Sequence, residues 1–129
     1  MRIWLLIGGF GALGAIGRYA MSGAVYRIFG TSFAHGTLAV NVLGSFLLGA
    51  IMEISLGSTW ISAEWRSAIG IGFIGAFTTF STFSYETWKY LEDGDWWRAG
   101  ANVGLNVVLC LMACAAAVHL SRFLLGGGR

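Results

Sequence analysis

Charged residues divide the chain into four long uncharged runs, at residues 3–17, 28–52, 67–85 and 99–121. A helix rises about 1.5 Å per residue, so about 20 apolar residues are needed to cross about 30 Å of hydrocarbon. Three runs are long enough, and the first becomes so if it continues past Arg18 to Tyr26. The sequence predicts an all-α integral membrane protein, one domain over residues 1–129, with four transmembrane helices at about 3–26, 36–56, 67–89 and 98–122.

The composition agrees with a lipid environment, because 57% of residues are hydrophobic and only 11% are charged. A basic Arg2 followed by apolar residues 3–13 would also suit a cleaved signal peptide. The apolar sequence resumes after Arg18, where a mature chain would normally be polar, so a spanning helix is the favoured interpretation. The glycine-rich tail at residues 126–129 is predicted to be disordered, whether or not it is native.

An enzyme is not predicted. The chain has no phosphate-binding loop, dinucleotide fingerprint or nucleophile elbow. His35 and His119 lack the partners that zinc binding or catalysis requires, and both are interpreted as interfacial residues. Cys110 and Cys114 lie one helical turn apart, which favours close packing between helices over a metal site.

Basic residues are almost evenly distributed between the two predicted sides of the membrane. One side carries Arg2, Arg66, Arg122 and Arg129, and the other carries Arg27, Lys89 and Arg98, with Arg18 ambiguous. Orientation follows the Lys and Arg asymmetry of short loops, so this chain is predicted to insert both ways. The alternative is that a single charge near the first helix decides one orientation.

The third predicted span contains a polar track. Residues 75–84 include five hydroxyl side chains and three rings, namely Thr78, Thr79, Ser81, Thr82, Ser84, Phe77, Phe80 and Phe83. In hydrocarbon such groups must face another helix or an aqueous path. Because Ser and Thr bend helices and nearby glycines lower the cost of a break, the third helix is predicted to be broken near its middle. Carbonyls released there could ligate a hard cation.

Amides and aromatic rings accompany this track. Asn41 alone is more often a helix-helix contact, but Asn102 and Asn106 align at i and i+4 as a ladder of donors suited to a permeating anion. Phe80 and Phe83 share a helix face, which usually indicates packing, yet their positive edges could border an anion path. Arg18 could concentrate anions at a vestibule. Glu86 is predicted to reach the membrane interface.

The segments 36–44 and 75–86 resemble the second-helix motif and the third-helix signature of the Fluc family of fluoride channels. The resemblance covers four spans and the entire chain. It implies a channel through which fluoride leaves the bacterial cytoplasm passively, across the inner membrane. It also implies a dual-topology antiparallel homodimer in the lipid bilayer, with two pores and a structural sodium ion at its centre.

The resemblance assigns roles to residues of this chain. Asn41 matches the pore asparagine, Phe80 and Phe83 the pore-lining rings, and Arg18 the first-helix arginine near the vestibule. Ser81 and Thr82 match part of the family's hydroxyl track. The backbone carbonyls of Gly75 and Thr78 match those that bind sodium in the family. Asn102 and Asn106 occupy places where some members carry tyrosine, serine or other polar residues.

Two alternatives to the channel remain. A proton-coupled exporter of the small multidrug resistance type also has four helices, but it needs a membrane-embedded carboxylate, and Glu53 and Glu86 are expected near helix ends. A non-transporting membrane subunit would use the same polar residues only to hold its helices together.

Overall fold

The computed structural model describes residues 1–126, and within them four helices are long and apolar enough to cross a membrane. They are the first span α1 (Arg2–Phe29), the second span α2 (His35–Gly57), the third span (Ala63–Glu92) and the fourth. The fourth span is α6 (Trp96–Leu124). The prediction of an all-α protein with four apolar spans is confirmed. Most of the predicted tail lies outside the described residues.

The third span is not a continuous α-helix. It consists of α3 (Ala63–Ser67), a π-helical turn (Ala68–Ile74), α4 (Gly75–Phe77) and α5 (Phe80–Glu92). Thr78 and Thr79, between α4 and α5, both have extended backbones, with ψ of 161° and 108°. The predicted break in the third helix is confirmed, and it falls at this pair of threonines.

Hydroxyl groups explain why the helix stops at that point. The Thr78 hydroxyl donates to the carbonyl of Ile74 at 3.1 Å, and the Thr79 side chain accepts from the backbone N–H of Thr82 at 3.2 Å. Thr79 is therefore the N-cap of α5. Side chains of this kind offer the backbone partners outside the helical ladder, which stabilises the interruption.

The first half of the third span, residues 63–77, packs tightly on α1 and α2. A Cβ atom on Gly72 would lie 2.7 Å from the carbonyl oxygen of Ile7, and one on Gly14 would overlap the carbonyl of Phe73. Absence of side chains at these two glycines brings the helix backbones into direct contact, as small residues do in membrane helix pairs. Ala68, Ile74 and Phe77 are buried as a result.

The second half, α5, has no buried residue. The Phe80 side chain is 79% exposed, and Tyr85 and Trp88 are also exposed. Polar contacts from α5 to the other spans are made by Glu86, with α1 and α2, and by Thr87, with α6. A large aromatic face is therefore left uncovered beside the break.

Candidate functional site

Asn41 of α2 forms hydrogen bonds that stabilise the break in the third span. Its Oδ1 atom accepts from the backbone N–H of Thr79 at 2.8 Å, and its Nδ2 atom donates to the Thr79 carbonyl at 3.2 Å. One amide thus satisfies both backbone groups of the residue at which the helical ladder is interrupted, which removes the desolvation cost of leaving them unpaired. The same Nδ2 also donates to Asn106 Oδ1 at 3.0 Å.

Asn106 and Asn102 continue this contact as a chain of hydrogen bonds along α6. Asn106 Nδ2 donates to the Asn102 carbonyl at 2.9 Å and to its Oδ1 at 3.1 Å, and Asn102 Nδ2 donates to the Thr87 hydroxyl at 2.9 Å. Asn102 is fully buried and Asn106 nearly so. The two amides lie one above the other as the sequence indicates, but their donors are already engaged within the protein.

A cavity of about 340 Å³ opens beside the break. Its wall includes six of the residues singled out from the sequence, namely Asn41, Gly75, Thr78, Phe80, Phe83 and Asn106. The Phe80 and Phe83 rings lie 5.4 Å apart between centroids and are tilted by 51°, so they border one side of this cavity together. Cys110, one turn beyond Asn106 on α6, also lines it.

A second cavity, of about 380 Å³, lies between α1, α2 and α5. Arg18 and Thr82 line this space, as do Tyr26, Thr37 and Glu86. Thr79 lines both cavities. Eight of the ten predicted site residues thus line one of two spaces that meet at Thr79, whereas Ser81 and Asn102 are not among the lining residues of either.

The hydroxyls of the predicted track are connected through Thr79. Thr79 Oγ1 donates to Thr82 Oγ1 at 2.9 Å and lies 3.4 Å from Ser81 Oγ. Ser81 and Thr82 lie on exposed parts of α5, whereas Thr79 is buried. The track is thus a short cluster at the start of α5 and leads from the interior to the surface.

That Glu86 reaches the membrane interface stays a prediction, but its side chain is turned toward α1 and α2. Glu86 Oε1 accepts from the Tyr26 hydroxyl at 3.0 Å and from the Thr37 hydroxyl at 2.8 Å, inside the helix bundle. Its Oε2 atom is buried and has no hydrogen-bond partner. The spacing of Thr79, Thr82 and Glu86 at i, i+3 and i+7 could have indicated this inward face. Tyr26 carried no comparable signal in the sequence.

Within residues 1–126 no group of three His, Cys, Asp or Glu side chains could hold a metal ion. A cation bound near the break would have to use backbone oxygens and hydroxyls. The extended backbone at Thr78 takes its carbonyl out of the helical arrangement, and Gly75 and Thr78 both line the cavity of about 340 Å³ beside the break. Oxygen ligands of this kind suit a hard cation such as sodium.

Comparison with known proteins agrees with these features. Residues 5–118 match the family model described as CrcB-like protein, Camphor Resistance (CrcB). A protein of Geobacter sulfurreducens named fluoride-specific ion channel FluC is 52% identical over 122 residues, which cover 95% of this chain and 98% of that protein. A protein of the same name from Geotalea daltonii is 48% identical over 96% of this chain and its own full length. A third, from Pelobacter propionicus, is 48% identical over 99% of both chains.

Proposed function

This chain belongs to the CrcB-like protein family, and from that membership we propose that it is a fluoride-selective channel through which fluoride leaves the cytoplasm passively. Four apolar spans and bacterial relatives make it a multi-pass protein of a bacterial inner membrane. Its function is transport and not catalysis. Relatives named as fluoride channels over nearly the full chain give no support to the proton-coupled exporter.

The observation that carries the proposal is the polar break between two cavities. Fluoride would step past Asn41, the rims of Phe80 and Phe83, the hydroxyls of Ser81 and Thr82, and Asn106. These groups are neutral donors and positive ring edges, which bind an anion weakly enough for it to leave again. A small anion that accepts strong hydrogen bonds is favoured, since the donors must exchange existing partners for it.

That exchange is inexpensive at Asn106. Its Nδ2 group is shared between two acceptors of Asn102, at 2.9 and 3.1 Å. Exchanging one such bond for another costs only about 0.5 to 1.5 kcal/mol, because the net contribution of a hydrogen bond is small when a substitute partner is present. The amide chain can therefore hold the fold between ions and offer a donor as each ion passes.

The proposed channel is an antiparallel homodimer. The uncovered face of α5 carries the exposed hydroxyls of Ser81, Thr82 and Ser84, which suit a second protein surface better than lipid. Nearly equal numbers of basic residues at the two ends permit both orientations in one membrane. Two antiparallel copies would give two equivalent routes, each bordered by rings from both subunits.

A sodium ion fits the same arrangement. The backbone carbonyls of Gly75 and Thr78 would hold it between subunits, where paired copies would supply four oxygens. Bound sodium would supply fixed positive charge that holds the two breaks together.

A liposome efflux assay tests the proposed function. Purified protein is reconstituted with internal sodium fluoride, and release down a gradient is followed with a fluoride electrode. Rapid fluoride release with negligible chloride release under the same gradient is expected. Equal efflux of both halides would contradict selectivity, and absence of fluoride release from a correctly assembled protein would contradict the channel itself.

A further inference from the structure

All side-chain amides of the sequence belong to one chain of hydrogen bonds. The sequence contains three asparagines and no glutamine. Asn41 Nδ2 donates to Asn106 Oδ1 at 3.0 Å, and Asn106 Nδ2 donates to Asn102 Oδ1 at 3.1 Å. Asn102 Nδ2 then donates to the Thr87 hydroxyl at 2.9 Å. Within this amide chain every bond is donated in the same direction, from Asn41 at the break toward Thr87 of α5.

A backbone group at the break fixes that direction. The N–H of Thr79 cannot accept, so the side-chain atom of Asn41 that faces it at 2.8 Å must be the oxygen. The Asn41 nitrogen then faces the Asn106 oxygen, and exchanging the two terminal atoms of Asn106 would set two NH₂ groups against each other. The same reasoning applies at Asn102, which is fully buried. One backbone donor thus sets the orientation of all three amides.

Thr87 ends the amide chain and returns it to α5. A hydroxyl carries one hydrogen, and because the Thr87 oxygen accepts from Asn102, that hydrogen is left to donate elsewhere. It is donated to the carbonyl of Phe83 at 2.8 Å, one turn earlier on α5. The amide chain therefore starts at Thr79, the N-cap of α5, and ends on the residue that carries one of the two cavity rings.

The two ends of the amide chain differ in their access to an ion. Asn41 and Asn106 line the cavity of about 340 Å³ together with Phe83, whereas Asn102 and Thr87 do not. An ion in the cavity can therefore exchange partners only with the first two amides. When Asn106 Nδ2 turns to an ion, Asn102 Oδ1 loses its donor. The bond from Asn102 Nδ2 to Thr87 then keeps the Asn102 side chain in place.

We propose that Thr87 is a positioning residue for the anion route: its hydroxyl holds Asn102 while Asn106 exchanges partners, so that the Asn106 donor returns to the same acceptor after each ion. The proposal rests on the proposed function for the identity of the ion as fluoride. Thr87 lines neither cavity beside the break, so it acts through the amides and not by contact with the ion. Without its hydroxyl, the Asn102 amide would be free to turn.

Nuclear magnetic resonance of the isotope-labelled protein in detergent micelles tests the arrangement directly. Because the sequence has only three side-chain amides, three pairs of amide signals are expected, and substitution of each asparagine in turn assigns them. Thr87→Val removes the hydroxyl from a side chain of similar shape and should shift the Asn102 pair. Thr87→Ser keeps the hydroxyl and should leave that pair near its wild-type position. An Asn102 pair unmoved by Thr87→Val would overturn the proposal.

Addition of fluoride distinguishes positioning from a purely structural role. In wild type, sodium fluoride should shift the Asn41 and Asn106 pairs most and the Asn102 pair least, while the same concentration of sodium chloride should shift none. In Thr87→Val, the Asn102 pair should shift as much as the Asn106 pair. A loss of stability alone would lower the yield of the variant without changing which amides respond. Equal shifts of all three pairs in wild type, or an Asn102 pair that stays least affected in Thr87→Val, would overturn the positioning role.

Efflux provides the functional measurement. Thr87→Val should lower fluoride efflux by about tenfold, as expected when a buried amide loses its acceptor, and Thr87→Ser should stay within about threefold of wild type. Ser67→Ala is the matched control, with efflux equal to wild type. The Ser67 hydroxyl also donates to the carbonyl four residues earlier, at 3.0 Å, but it lies on α3, before the π-helical turn. Equal efflux in wild type and Thr87→Val would overturn the proposal.

The positioning role and the proposed function can fail separately. If wild type releases no fluoride while Thr87→Val still shifts the Asn102 pair, the channel is contradicted and the hold of Thr87 on Asn102 is supported. If wild type releases fluoride and Thr87→Val matches it in efflux and in its amide signals, the positioning role is overturned and the channel is supported.

Discussion

The two halves of the third span differ in how completely one chain surrounds them. In the first half, residues 63–77, Ala68 is fully buried and Ile74 and Phe77 are nearly so. In the second half, α5, no residue is buried and the Phe80 ring is 79% exposed. The first half is held within one copy by backbone contact with α1, although Ile71 is 66% exposed. The second half presents rings and hydroxyls that the described residues leave uncovered, and it is the part assigned above to the proposed partner subunit and permeating ion.

The largest effect is expected where the first half has no free space. Gly14→Ala would place a methyl group against the Phe73 carbonyl. Only a movement of the backbone could relieve this overlap. Most of the folded protein should be lost, as judged by monodisperse yield in detergent. Gly9→Ala is the matched control on the same helix, because among residues 1–126 no side chain and no other helix lies within 4 Å of the Cβ position at Gly9. Equal yields for the two variants would contradict the tight contact.

The next effect is expected at the boundary between the halves. Asn41→Ala leaves the Thr79 N–H and carbonyl without their partners and disconnects Asn106. Unpaired buried groups cost about 1–3 kcal/mol each, so fluoride efflux should fall by about thirtyfold or more. Ser58→Ala, which removes a hydroxyl at the end of α2, should leave efflux unchanged. Normal efflux in Asn41→Ala would show that the break does not need the hydrogen bonds between Asn41 and Thr79.

A smaller effect is expected on the open face of α5. Phe80→Ile and Phe83→Ile remove the ring edges and should each reduce fluoride efflux by about tenfold, the value of one aromatic contact, while the assembled dimer persists. Phe123→Ile on α6, with its ring 77% exposed, is the control for loss of a surface ring. If wild type releases no fluoride and these substitutions alter only assembly, the protein would instead be a non-transporting subunit.

The smallest effect is expected from Thr78→Ser. The substitution removes a methyl group that lies against Gly44 but keeps the hydroxyl and the backbone carbonyl. If sodium is held by main-chain oxygen, the dependence of efflux on sodium should be the same as in wild type, and efflux should stay within about twofold, since one small void costs only about 1 kcal/mol of stability. Loss of the sodium dependence would assign the ligand to the side chain.

The spans, the break in the third helix and the stacked amides could each be predicted from local sequence alone. The lengths of the uncharged runs predict four spans, and each helix extends one to four residues beyond the predicted range at either end. The glycines and hydroxyls at residues 70–84 predict the break, because their effects act on the backbone within about one turn. The stacking of Asn102 and Asn106 follows from helical periodicity alone.

What the sequence by itself determined was therefore the set of spans, the interrupted third helix and the polar residues on it. The tertiary structure alone decided which partners those residues have. Asn41 meets Thr79 across 38 positions, Thr37 meets Glu86 across 49, and Tyr26 meets Glu86 across 60. Periodicity within one helix gives the face on which a side chain lies, but not which helix lies opposite, because that depends on how all the spans pack at once. For this reason the sequence did not show that Glu86 contacts Tyr26 and Thr37, and only the packing of α1 and α2 against α5 brings these side chains together.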